Sequence, residues 1–237
     1  MTSMTDRRAA KCGLIALGLL VGPAARGAAQ TVTVDEGEFR LLEQGREVGT
    51  ETFTIRQNGT GPTAVIIASA RVTPVTGSGV DARVQVAGGT LRPAAYDIVA
   101  SSPRDPTIHG QVVGRRVTAT IRSAAGENVR EYLVSEGAIL AEPAVAHHHW
   151  FVAQRALAGT TRVPLIIPSE SRQVFAALAV DPVQPITVAG ERLDARRVIV
   201  RPEGSPERLV WIDNSGRILR LEIPELRLVA ERTAAPR

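Results

Sequence analysis

The sequence has very little of what usually staples a fold or stacks within it. Its 237 residues include one cysteine (Cys12), one lysine (Lys11), four histidines and only 3% aromatic residues. A lone cysteine excludes an intrachain disulfide framework, so the chain must be held by its own core. There is no block of like charge, which excludes the electrostatic footprint that nucleic acid requires. No apolar run approaches the roughly 20 residues that cross a bilayer as a helix. Gly-x-Ser-x-Gly is missing, and Gly59-Thr60-Gly61 and Gly77-Ser78-Gly79 lack the following helix that a phosphate loop needs.

What is present begins with Arg7, Arg8 and Lys11, then the apolar run 12–22, Pro23 and Gly27-Ala28-Ala29. This order of basic, apolar and small residues predicts a secretory signal peptide over 1–29, cleaved after Ala29. Cys12 opens the apolar run, whereas a lipid-anchored cysteine would follow it. Cleavage leaves 24 basic against 23 acidic residues, so the high isoelectric point reflects arginine in place of lysine rather than net charge. The expected product is an exported protein, periplasmic or extracellular, with no transmembrane segment and one domain over 30–237.

That domain reads as strand after strand. In 47–56, Phe53 and Ile55 share one pleat face against Thr52, Thr54 and Arg56, and Val80, Ala82, Val84 and Val86 alternate in the same way. Eight such strands, from 37–44 to 128–134, precede residue 144. An apolar segment bounded by prolines (163–168) and further strands from 173 to 231 follow, with a turn at 214–216. An array of more than a dozen strands without a fixed repeat predicts an all-β fold: one large curved antiparallel sheet, a half-barrel or barrel. The single helix is 144–159, stopped by Gly159. At about 100° per residue, Ala146, Trp150, Ala153 and Leu157 form its apolar stripe, with His148 and Arg155 opposite. It reads as a lid over the concave face.

The hairpin Gly45-Arg-Glu-Val-Gly49-Thr-Glu51-Thr-Phe53 and the ending Leu209-Val-Trp211-Ile-Asp213-Asn-Ser-Gly216-Arg-Ile-Leu-Arg220 resemble uncharacterised exported bacterial β-rich domains. The architecture is similar to the Lol-type periplasmic lipoprotein carriers. That resemblance implies a curved sheet and helical lid enclosing an apolar cavity.

Among chemical candidates, the run His147-His148-His149 stands out. On a helix His147 and His149 diverge by about 160° and cannot chelate one ion. In an extended lead-in they share a face, and a metal would then need His109, Glu142 or Glu136 as a further ligand. Ser101, Ser102, Ser169 and Ser171 lie in connectors without a placed base, and the carboxylates Glu136 with Glu142 and Glu191 with Asp194 read as solvated strand ends. Arg115-Arg116 and Arg196-Arg197 each place one guanidinium toward each sheet face, and an inward one needs an anionic partner. No cofactor is expected. The leading expectation is a non-enzymatic binding protein holding an apolar or amphiphilic, lipid-like ligand against Ala146, Trp150, Phe151, Ala153, Leu157 and Trp211. The alternatives are an envelope-assembly module with a solid core and a protein partner, and a metal-dependent hydrolase built on 147–149.

Overall fold

The computed structural model describes residues 31–143 and 145–237; the expected signal segment lies outside the described residues. Eight strands form the first meander: β1 (Thr31–Glu43), β2 (Arg46–Asn58), β3 (Val65–Pro74), β4 (Val80–Ala87), β5 (Arg92–Ala100), β6 (Thr107–Val113), β7 (Arg116–Ser123) and β8 (Gly126–Leu133). A two-residue strand β9 (Ile139–Leu140), a 3₁₀ turn at Ala146–His148 and helix α1 (His149–Leu157) interrupt it. The chain then returns through β10 (Arg162–Ile167), β11 (Arg172–Val180), β12 (Gln184–Val188), β13 (Glu191–Pro202), β14 (Arg208–Asp213), β15 (Ile218–Ile223) and β16 (Leu228–Arg232). β16 pairs with β1, placing Arg232 opposite Phe39, and this joins both halves into one 16-stranded sheet running from β8 at one edge to β9 at the other.

The strands follow from their alternation. In β4, Ala82, Val84 and Val86 are buried while Asp81 and Arg83 are exposed, so each strand has one face toward the core. Hairpin chemistry fixes the register: Gln44 and Gly45 both take positive φ (53° and 78°), matching the twist of β1 and β2. Two features depart from the sequence reading. β1 starts at Thr31, not near 37, because a register shift between Thr33 and Asp35 carries pairing with β2 back to Asn58. One pair, β9 with β10, is parallel, so the sheet is mixed rather than purely antiparallel.

The helix differs more. In place of a lid with a polar outer face, residues 138–143 and 145–156 thread the concave side as a plug. His147, His148 and Ala153 are 0% exposed, and Phe151 and Val152 are 1% exposed. The surrounding sheet is equally closed, with Val198, Val200, Val210, Ile212 and Ile218 at 0%. A void wide enough for water would leave exposed area on the atoms lining it, so these side chains meet one another directly. A curved sheet wraps the helix on several sides at once, which removes the solvated face that a lid would keep. Leu157, the last residue of the expected stripe, is only half-buried.

The sheet does not close through backbone pairing. At the seam the side-chain amide of Gln173 (β11) donates to the Leu133 carbonyl (2.8 Å) and accepts from its N–H (3.2 Å), standing in for a strand peptide. Gln173→Ala removes both bonds at an exposed site. The expected cost is only about 1 kcal/mol, with faster amide exchange confined to Leu133 and its neighbours. Unchanged exchange at Leu133 would show that the seam does not rest on this amide.

Candidate functional site

The plug carries an unusual density of polar groups into the interior, held from the sheet by two carboxylates. Glu51 sits on the inward face of β2, in the same pleat as Phe53 and Ile55, and is 0% exposed. It accepts the backbone N–H groups of Ala146 (2.7 Å) and His147 (2.8 Å) and the His147 Nδ1–H (2.9 Å). Those are orphan donors at the start of a helical segment, where negative charge is also favoured by the helix dipole. Glu142, just before the helix, plays the same part for the turn Pro168–Glu170. It accepts the Ser169 N–H (3.1 Å), the Ser169 hydroxyl and the Tyr96 hydroxyl. Both acids are therefore caps placed inside the protein.

The three histidines each have a different setting. His147 gives its Nδ1 proton to Glu51, which leaves the Nε2 lone pair without a partner. His148 Nδ1 accepts the Glu142 N–H at 3.1 Å, so its proton is on Nε2, which is also buried and unpartnered. His149 Nδ1 lies 3.2 Å from the Val145 carbonyl and donates to it. Burial, reinforced by the neighbouring imidazoles, pushes the His148 pKa well down. Burial, together with the Arg208 guanidinium, pushes that of His149 down to about 3. Tyr96, buried and facing Glu142, is raised well above its ordinary value.

A second ionic group lies where β1 meets β16, at the joint between the two halves of the sheet. Arg232 pairs with Asp35, donates to the Glu36 carbonyl (3.1 Å) and lies over the rings of Phe39 (5.8 Å) and Phe53 (5.1 Å). Asp35 also accepts the Ile218 N–H at 3.2 Å, and burial raises its pKa against the pull of Arg232. Arg208, at the start of β14, is 4% exposed and makes no ion pair among the described residues. Burial lowers its pKa.

The structure gathers some of the expected residues and separates others. Ala146, Trp150, Phe151 and Ala153 join the main core, and the Trp150 and Phe151 rings meet edge-on at 5.2 Å. Leu157 packs at its margin. Trp211 lies on the opposite sheet face, in a small outer cluster with Val188, Ala195 and Leu219, so the two tryptophans do not share a surface. His109 is on the outside against Asp97 (2.8 Å), apart from the plug histidines. Glu136 is exposed. Among the described residues, no three of His, Cys, Asp and Glu are grouped as a metal ion would require. His148 adds a tautomer argument, because a proton on Nε2 leaves no lone pair there for a metal. Of the paired arginines, Arg116 bonds Glu131 and Arg197 bonds Asp181, while Arg115 and Arg196 are exposed. The inward cations are Arg208 and Arg232, which the pairing argument did not identify. Their signal was alternation: Arg208 shares parity with Val210 and Ile212, as Glu51 does with Phe53.

A mixed, unclosed sheet of 16 strands wrapped around its own helical segment defines a β-barrel-like domain. Its fold is similar to that of a β-barrel-like protein of a domain of unknown function, DUF1849, from Brucella abortus. The TM-score is 0.51 at 10% identity, over 83% of this chain and 94% of that one. No family model matches the chain, and no curated protein matches it significantly. Among the described residues, no helix is long and apolar enough to cross a membrane.

Proposed function

We propose that this protein is an exported, non-enzymatic interaction module of the bacterial envelope that engages a protein partner through the seam side of its sheet. The observation that carries the reading is the filled interior: the concave face, where a Lol-type carrier would hold an acyl chain, is occupied by residues 138–143 and 145–156 of the same chain. The basic, apolar and small-residue start of the sequence supports export.

The seam supports the choice of surface. Leu133 turns its N–H and carbonyl away from β7 toward Gln173. Backbone groups alternate along an antiparallel strand, so Val129 and Glu131 present theirs to the same open edge. Val129, Leu133 and Phe175 are 51%, 52% and 43% exposed, and all lie on the outer face beside that edge. A free edge with flanking apolar side chains is suited to strand addition.

Val129→Pro tests this directly, because the N–H it deletes is unused by β7. The expected result is a folded variant in which a photo-crosslinker at position 131 no longer forms, in cells, the discrete adduct that it forms in the parent. No adduct in the parent, or stoichiometric lipid carried by the purified protein in native mass spectrometry, would instead favour the apolar-ligand reading, which requires the plug to move.

A further inference from the structure

A cleft of about 750 Å³ opens at one mouth of the barrel, where four pieces of chain converge. They are the last turn of α1, the β4–β5 turn, the β6–β7 turn and the connection after β8. The cleft is lined by three arginines, Arg92, Arg115 and Arg155, and one carboxylate, Glu136, so it carries two net positive charges. Eleven arginine–carboxylate ion pairs are formed among the described residues, and none involves any of these four side chains. In a chain whose interspersed charges commonly pair across strands, three guanidinium groups gathered without carboxylate partners form a site of unmatched positive potential.

Two of the three are held in place before any ligand arrives. Arg155 donates from one terminal nitrogen to the Thr90 carbonyl, and Arg92 does the same to the Gly114 carbonyl. Each guanidinium has five N–H donors, so each keeps several free. The Arg155 Nε is buried and has no partner at all, and burial lowers the pKa of this group. Arg115 is exposed on its turn and completes the ring, with Thr90 and Ser135 supplying hydroxyls.

We infer that this cleft binds a phosphate-bearing anion, with Arg92, Arg115 and Arg155 as its ligands. A carboxylate would leave one positive charge unmatched, whereas a phosphate monoester brings about two negative charges, a diphosphate about two to three, and both bring the oxygen geometry that guanidinium forks match. The volume exceeds what bare phosphate needs and accommodates the organic part of a phosphorylated molecule. Arg155 belongs to the plug helix, so occupancy would also tie the plug to the β4–β5 and β6–β7 turns. The cleft's wall at Val134 and Ser135 follows the seam residue Leu133 in the chain, but its arginines lie outside the seam and the site does not depend on the partner proposed there.

The test is calorimetric titration of the purified protein with inorganic pyrophosphate at fixed ionic strength. Arg115→Gln alters an exposed side chain with no bond to the fold, and the double variant Arg92→Gln/Arg115→Gln also gives up the exposed Arg92 bond to the Gly114 carbonyl, so its folding is checked by circular dichroism. Arg56→Gln, on the outer face of β2, controls for loss of charge alone. The parent and Arg56→Gln are expected to bind alike, Arg115→Gln about fivefold more weakly, and the double variant more than tenfold more weakly. A second arm sediments the parent and Arg115→Gln with phosphatidylcholine vesicles containing phosphatidic acid. Arginine-dependent vesicle binding assigns the phosphate to a lipid headgroup. Pyrophosphate binding without vesicle binding assigns it to a soluble phosphate ester. No saturable binding in either arm, or equal losses in Arg56→Gln and Arg115→Gln, overturns the inference.

Discussion

Glu51→Ala is expected to lower folding stability by about 3–5 kcal/mol, a large share of the 5–15 kcal/mol that typically holds a domain together. The magnitude follows from what the carboxylate holds. Three donors end on it, the N–H groups of Ala146 and His147 and the Nδ1–H of His147, and all lie in a site that water does not reach. Truncation leaves each of them buried and unmade at roughly 1–3 kcal/mol apiece, partly offset by release from burying the carboxylate's own charge. Glu51→Gln should be intermediate, since one amide oxygen still accepts while its NH₂ faces other donors. Urea unfolding at pH 7.5 measures both variants. A loss below about 1 kcal/mol in Glu51→Ala would mean that water enters and caps the segment, and the plug would then be looser than its burial indicates.

The same residue shows how much of this molecule was legible beforehand. Strand parity in the sequence identified nearly every strand and the face each presents, because a half-buried sheet writes its inside and outside into alternate residues. It also contained Glu51, Arg208 and Arg232, each a charge standing at an inward position among Val, Ile and Phe. Those residues announce a polar interior only when parity is applied to charges as strictly as to apolar side chains. The short strand β9 and the buried lead-in at 138–142 and 145 were less legible. Two strand residues carry no periodicity, and a segment buried on all sides has none to show. The helix misled for the same reason. Its apolar stripe is real, but alanine-rich flanks and three histidines conceal that the remaining faces are also enclosed by a sheet that curves around them. Trp211 was grouped with Trp150 on scarcity of aromatics alone, although its position between Val210 and Ile212 sets it on the outer face.

The enclosed histidines lead to the second large effect: stability should fall steeply on mild acidification. His148 and His149 are both held below their ordinary pKa of about 6.5, His148 well below and His149 to about 3, chiefly by burial. A group whose folded pKa is depressed favours the unfolded state whenever it takes up a proton. Its stabilising share is therefore complete above about pH 6.5 and is lost as the pH falls from there toward the folded value. At pH 5 His149 alone costs about 2 kcal/mol, and His148 adds to the loss in the same direction. Geometry points the same way independently of any titration. A proton on His148 Nδ1 would confront the Glu142 N–H that it now accepts, and a charged His149 would lie beside the unpaired Arg208. The raised carboxyl of Asp35 opposes this trend, since its protonation is favoured in the folded state, but only as the pH approaches its own range at the acid end. Urea midpoints measured from pH 8 to pH 5 should be nearly level above pH 7 and drop below 6.5. His149→Gln should remove about 2 kcal/mol of the drop at pH 5 while costing little at pH 8. A level profile down to pH 5 would mean that the histidines protonate in place, which a plug sealed from water does not allow.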